Sequence, residues 1–146
     1  MGTPTADDAR LYLQLLDLTQ HGLQVEARRW FFWEFAADSY DDLRERYPAG
    51  SRQRDLLFNV LGFYESTGVL VSRGLLNEDV FFDAPFGFEL LWERIRGILP
   101  AWQEAGGPAV WENVRWLGER FDAWREHVWR PKVEAVPPDG PFPLGS

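Results

Sequence analysis

Apolar residues recur at helical spacing in several long segments of this sequence. Between residues 109 and 129 they step forward alternately by four and three positions, at Val110, Val114, Leu117, Phe121, Trp124 and Val128. This spacing places them on one face of an α-helix, because a helix completes a turn in about 3.6 residues. The opposite face is charged and includes Arg115 and Glu119, which lie one turn apart. The segment therefore predicts an amphipathic helix that buries one side against the rest of the protein.

Similar patterns, together with capping residues, predict further helices before residue 109. They are a first helix capped by Asp7 or Asp8, a helix over 24–37 and a short helix up to Arg46. Ser51 is the predicted cap of a helix over 51–73, and Asn77 is the predicted cap of a short helix to residue 83. A further helix is predicted over 86–104, with Pro100 expected to kink or divide it. A length of 146 residues suits one domain. We therefore expect an all-α fold, a single-domain helical bundle of five to seven helices over residues 1–130. The helices near 51–73, 86–104 and 109–129 are expected to form its up-down bundle.

Residues 131–146 differ in composition from the rest of the chain. They hold five of the ten prolines, and proline can neither continue a helix nor join a central strand. We expect an extended, Pro-rich C-terminal tail. Two interpretations remain open: a strap laid on the surface, or a partly mobile tail. The strap would be anchored by Val133, Val136, Phe142 and Leu144.

Two segments leave alternatives to the helical interpretation. The aromatic run at residues 30–35 has the composition of a buried strand, although its flanking residues favour a helix. Residues 68–76 could instead form a short strand and turn, as in a winged helix. Gly68 is the weak point of the helix predicted there, unless it marks the close approach of a neighbouring helix.

The composition excludes several classes of function. The chain has no cysteine, which rules out disulfides, thiol catalysis and thiolate metal sites. The 23 acidic residues outnumber the 15 basic ones, giving a net charge of −8. Such a surface repels phosphate backbones, so we expect no nucleic-acid partner.

The sequence also predicts the cellular location of the protein. No segment approaches the roughly 18–20 consecutive apolar residues that a transmembrane helix requires. The first eight residues are polar and acidic and do not resemble a secretory signal. We therefore predict a cytoplasmic protein without a transmembrane segment.

Known catalytic and metal-binding motifs are missing from the sequence. There is no phosphate-binding loop, dinucleotide-binding fingerprint, nucleophile elbow or H-E-x-x-H motif. The two histidines, His21 and His127, are far apart, and the acidic residues near His127 alternate with arginines on a charged helix surface. We therefore name no catalytic, metal-binding or cofactor-binding residue and expect no cofactor.

The middle and the C-terminal half of the chain resemble a known family. The residues that carry the resemblance are Arg54, Leu57–Glu65, Gly68–Val71, Arg73–Val80 and Leu91-Trp92, followed by Trp111–Val114 and Leu117. They resemble a bacterial family known as domain of unknown function 4760. The resemblance implies an all-helical fold. It implies no activity, substrate or catalytic residue.

Tryptophan is the most unusual feature of the composition, with eight residues in 146. Large aromatic side chains dominate both protein cores and interfaces, so two interpretations are open. The tryptophans either form a core with aromatic edges, or some of them contact a partner or line a pocket with arginines. The candidate contact residues are Arg28, Arg29, Trp30, Trp33, Arg54, Trp92 and Trp111.

These observations predict a protein-interaction or regulatory module without catalytic activity, with a homodimer through the aromatic surface as one form of it. The alternative is a small-molecule binding protein whose pocket is lined by tryptophan and arginine and accepts an anionic or aromatic ligand.

Overall fold

The computed structural model of the protein describes residues 2–133. Over this range the chain forms eight helices and no β-strand, so the all-α prediction is confirmed. In chain order the helices are α1 (Ala6–Leu18), α2 (Gly22–Trp33), α3 (Tyr40–Arg46), α4 (Arg52–Ser72), α5 (Glu78–Asp83), α6 (Phe88–Ile95), α7 (Leu99–Gly106) and α8 (Glu112–His127). The count exceeds the expected range by one because the segment predicted at 86–104 is two helices. Pro100 lies in the first turn of the second, where its missing N–H is not needed.

The longest helix, α4, occupies the centre of the fold. Its 21 residues pack most extensively against α2 and α8. The expected bundle was therefore wrong in one member, since α2 takes the place assigned to the segment at 86–104. The reason is that the segment at 86–104 divides into two eight-residue helices, of which α6 packs mainly on α8 and α7 mainly on α3.

Gly68 allows α4 and α8 to approach each other closely. A Cβ atom at this position would lie 2.9 Å from the Cβ of Asn113, nearer than real side-chain contacts allow. The close-approach interpretation of Gly68 is therefore confirmed, and the winged-helix alternative is wrong because residues 68–72 are helical.

The aromatic run is divided between two kinds of structure. Residues 30–33 complete α2, which agrees with the helical interpretation, while Phe35 lies after the helix end. Phe35 stacks on Phe31 with ring centroids 4.8 Å apart and on Tyr47 at 5.6 Å. The run therefore turns back on itself and contributes to the core from both sides of the turn.

Side chains satisfy the free N–H groups at several helix starts. Ser51 and Asn77 cap α4 and α5 as predicted. The first helix is capped by Thr5 rather than by Asp7 or Asp8, because the Thr5 hydroxyl accepts the Asp8 N–H at 3.3 Å. In return, one oxygen of the Asp8 carboxylate accepts the Thr5 N–H at 2.7 Å. The other oxygen of Asp8 accepts the Asn77 N–H at 2.8 Å, which fixes α1 to α5.

None of the helices between residues 2 and 133 is long and apolar enough to cross a membrane. Val133 ends the described range and is exposed, and Lys132 just before it forms an ion pair with Asp83. The other predicted tail anchors, Val136, Phe142 and Leu144, lie outside the described residues.

Candidate functional site

Three of the seven candidate residues, Arg28, Trp30 and Trp92, make structural contacts inside the fold. The guanidinium of Arg28 donates to the Tyr64 hydroxyl at 3.0 Å and to the Phe86 carbonyl at 2.6 Å. It thereby ties α2 to α4 and to the segment before α6. These bonds use the charge of Arg28 to satisfy buried oxygen atoms.

The two buried tryptophans each fill a defined position in the core. Trp30 packs edge-on against Tyr47 with ring centroids 5.1 Å apart. Trp92 lies against Gly118, where a Cβ atom would overlap its indole ring. Its Nε1 donates to Asp122 at 3.2 Å. These two tryptophans therefore belong to the core, which is the first of the two interpretations given above.

Two other candidates, Arg29 and Trp33, lie on the surface of α2. Trp33 is 85% exposed, and Arg29 is exposed one turn before it. Arg94 of α6 donates to the Phe32 carbonyl at 3.4 Å and to the Leu90 carbonyl at 3.3 Å, so α6 lies beside the end of α2. Leu90 is also exposed. We call Arg29, Trp33, Leu90 and Arg94 the Trp33 surface.

The last two candidates, Arg54 and Trp111, meet around Trp102. The guanidinium carbon of Arg54 lies 5.8 Å from the Trp102 ring centroid and 5.9 Å from that of Phe58. Trp111 packs edge-on against the same two rings, at 5.9 and 5.3 Å. Tyr40 stacks on Trp102 at 5.6 Å. These five residues form what we call the Trp102 cluster.

An aromatic hollow of about 350 Å³ lies beside this cluster. Its lining consists of Phe58, Glu65, Trp102, Ala109, Val110 and Trp111. Trp111 has a left-handed backbone, with φ of 49°, and its buried indole Nε1 has no hydrogen-bond partner within residues 2–133. A buried donor without an acceptor is costly, so this atom favours a ligand that carries an acceptor.

A second, polar hollow of about 610 Å³ shares Tyr40 and Arg54 with the cluster. Its lining is Tyr40, Asp41, Arg44, Glu45, Pro48, Ala49 and Arg54. The Nε of Arg54 donates to the Tyr47 carbonyl at 2.7 Å. Burial lowers the pKa of Arg54, Tyr40 opposes that effect, and the positive charge of Arg44 adds to it.

A third hollow, of about 490 Å³, lies between α4 and the junction of α1 with α2. Its lining is mostly apolar and includes Leu15, Leu18, Leu23, Phe63 and Leu70. His21 is its one titratable side chain among the described residues. Polar side chains also line it, namely Gln24, Asn59, Ser66 and Thr67, and the buried Oε1 of Gln24 has no hydrogen-bond partner in residues 2–133. Nowhere in residues 2–133 do three or more histidine or acidic side chains come together to hold a metal ion.

Sequence reasoning missed Tyr40, Arg44, Phe58 and Trp102 as site residues. Phe58 follows Arg54 by one turn of α4, and this spacing is a signal that could have added it. Tyr40 and Arg44 come from α3, and Trp102 comes from α7. No local pattern in the sequence connects those helices.

Comparison with known proteins gives one match. A family model described as a domain of unknown function, DUF4760, matches residues 4–121. No curated protein and no solved structure matches the chain. The matched range includes α1 to α7, most of α8, and all seven candidate residues.

Proposed function

The chain belongs to the DUF4760 family, whose description names no activity, and we propose from its surface that it is a protein-interaction or regulatory module without catalytic activity. The observation that carries this proposal is the 85% exposure of Trp33. The other seven tryptophans are buried or half-buried.

An exposed tryptophan has a large apolar area to offer a partner. The side chain presents roughly 150–250 Å², and each square ångström removed from water contributes about 25 cal/mol. Tryptophan and arginine are also the residues most enriched among those that dominate binding energy at interfaces. The Trp33 surface combines one exposed tryptophan, one exposed leucine and two arginines.

The charges around Trp33 indicate the chemistry of the partner. Arg96, Arg120 and Arg125 are paired with carboxylates of this chain. Arg29 and Arg94 form no such pair in the part of the chain described. We therefore propose a protein partner with an apolar depression bordered by acidic side chains. A second copy of this acidic chain is one outcome of the test.

The test places a photo-crosslinking amino acid at position 29 of the full chain in cells. We expect one defined adduct, which is lost when Trp33→Ala is added because the anchor is removed. The matched control carries the crosslinker at Arg10, which is exposed on α1. The mass of the adduct distinguishes a different protein from a homodimer. The same adducts at both positions, no adduct at 29, or an adduct unaffected by Trp33→Ala would each contradict the proposal.

A small-molecule binding protein with a Trp/Arg-lined pocket is a second candidate function. It is favoured by the aromatic hollow, whose lining includes Trp111, a residue whose buried Nε1 has no partner among the described residues. The ligand would be flat and apolar with a hydrogen-bond acceptor. A thermal-shift screen of aromatic metabolites should give a hit that stabilises the wild type but not Phe58→Ala. The absence of any such hit would exclude this candidate.

We also propose a cytoplasmic location, since a chain without cysteine does not depend on an oxidising compartment. The division into a helical domain over 1–130 and a tail over 131–146 remains our proposal as well. Limited proteolysis should remove the tail and leave a fragment that melts at the temperature of the full chain. A large loss of stability would instead favour the strap.

A further inference from the structure

We propose that the polar hollow binds a small oxyanion, the carboxylate or phosphate group of a metabolite, through the guanidinium groups of Arg54 and Arg44 and the hydroxyl of Tyr40. The inference goes beyond the proposed partner surface. It depends neither on Trp33 nor on a ligand in the aromatic hollow.

The first argument is the state of Arg54. Its side chain is half-buried, and its guanidinium faces the rings of Trp102 and Phe58. Only its Nε makes a hydrogen bond, to the Tyr47 carbonyl, so within residues 2–133 both terminal nitrogens have unused donors. Removing a cation from water without a counter-charge costs free energy, and aromatic faces recover only part of that cost. A bound anion would supply the missing charge and accept the free N–H groups.

The second argument is the charge around the hollow. Arg44 adds a second guanidinium, which lies 5.6 Å from the Tyr40 ring centroid. The hollow also contains two carboxylates. The side chain of Asp41 is 95% exposed and approaches Arg44 only to 3.8 Å, while Glu45 is exposed and has no ion pair within the described range. Exposed carboxylates in water compensate a partly buried cation weakly.

The third argument is the geometry of the donors. A guanidinium presents its N–H groups as a planar fork that matches two oxygens of a carboxylate or phosphate. The bond to the Tyr47 carbonyl and the two flanking rings hold Arg54 in place before any ligand arrives. Such preorganisation reduces the entropy lost on binding. The volume of about 610 Å³ lies within the range usual for small-molecule sites.

The experiment follows the arginine Nε–H signals of the ¹⁵N-labelled full chain by NMR at constant ionic strength. The probes are inorganic phosphate in one arm, succinate in a second and a glutamate-rich peptide in a third, with sodium chloride as the reference salt. We expect the Arg54 signal to shift and saturate with at least one of the two small anions, and the anion that saturates it shows whether phosphate or carboxylate is preferred.

Variants separate binding from structure. Arg54→Lys retains the charge but loses the fork, and because the Arg54 reporter is lost in this variant, its affinity is measured from the backbone amide signals of Arg44 and Glu45. Arg44→Gln removes the exposed second guanidinium without disturbing the core. We expect each to weaken binding about tenfold or more. Arg73→Gln is the matched control, since Arg73 is exposed and makes no ion pair in the described range. We expect it to leave the affinity unchanged.

Several outcomes would overturn the inference. Shifts that rise linearly without saturation, or an equal loss of affinity in Arg73→Gln, would show general charge screening. If Arg44→Gln, confirmed as folded by circular dichroism, binds with unchanged affinity, Arg44 does not take part in binding and the proposed site is wrong. Saturation by a glutamate-rich peptide but by neither small anion would assign the hollow to a protein partner instead.

Discussion

The side chain of Glu65 on α4 holds Asn113 at the start of α8. Its carboxylate accepts the backbone N–H of Asn113 at 3.0 Å and the side-chain amide at 2.8 Å, and it also accepts the N–H of Val114 at 3.1 Å. The residue at the cap position of α8 is Trp111, which makes no side-chain capping bond. A residue 48 positions earlier therefore satisfies the free N–H groups of this helix.

Replacing Glu65 should destabilise the fold through α8. Glu65→Ala leaves charge-assisted hydrogen bonds unmade, and we expect the free energy of unfolding in urea to fall by about 2–3 kcal/mol. Glu119→Gln is the control, because Glu119 forms only an exposed pair with Arg115 and should change stability by about 0.5 kcal/mol or less. Equal effects of the two changes would contradict the capping role.

Two glycines on neighbouring helices should respond in opposite directions to alanine. In Gly118→Ala the new methyl group would overlap the Trp92 ring, so we expect a loss of roughly 1–3 kcal/mol. Gly62 is helical and a Cβ there meets nothing within 4 Å, so Gly62→Ala should stabilise by about 0.5–1 kcal/mol. Thermal unfolding of the two variants measures both. A neutral Gly118→Ala would show that Trp92 can move aside freely.

The stability lost on replacing a tryptophan should depend on how deeply that tryptophan is buried. Trp92→Ala removes a buried side chain and should cost about 3–5 kcal/mol. Trp33→Ala should change the free energy of unfolding by roughly 0.5 kcal/mol or less, since Trp33 is 85% exposed. Urea denaturation followed by circular dichroism tests both variants. A large cost for Trp33→Ala would mean that this residue is covered in solution and would remove the basis of the partner surface.

Asp8 should contribute to the loss of stability in acid. Hydrogen bonds from the backbone of Thr5 and Asn77 lower the pKa of Asp8 below its ordinary value. A lowered pKa means that this contribution is present above the ordinary pKa of about 4 and is lost as the pH falls through the folded value. We therefore expect Asp8→Asn to be less stable than the wild type at pH 7, with the difference shrinking below about pH 4. Melting temperatures measured across this range test the trend, and a constant difference would contradict it.

Much of the secondary structure could be predicted because its causes are local. The apolar spacing located α8, Ser51 and Asn77 were recognised as caps, and Pro100 marked the division between α6 and α7. Each of these signals acts within about one turn of helix. The bundle was partly wrong because choosing between α2 and the segment at 86–104 as a neighbour of α4 requires long-range packing.

The candidate site was predictable only in part. Arg54 and Trp111 were named from residue type alone, and the structure places them on the same two rings. Trp30 and Trp33 looked equivalent, because both belong to one aromatic run on one helix. They are 8% and 85% exposed. Residues three positions apart lie on nearly the same face of a helix, so their spacing does not separate the two tryptophans. Trp33 is the last residue of α2, and its side chain extends beyond the aromatic neighbours that cover Trp30.

The sequence by itself determined that the chain is helical and where most helices begin and end, since backbone hydrogen bonds, caps and apolar periodicity depend on residues only a few positions apart. The tertiary structure alone decided which tryptophans are buried, that Glu65 caps α8, and that Arg54 lies beside Arg44 without a carboxylate partner in the described residues. These relationships join residues far apart in the chain. They exist only after the helices have packed, when burial has changed the free energy of each charge and each unpaired donor.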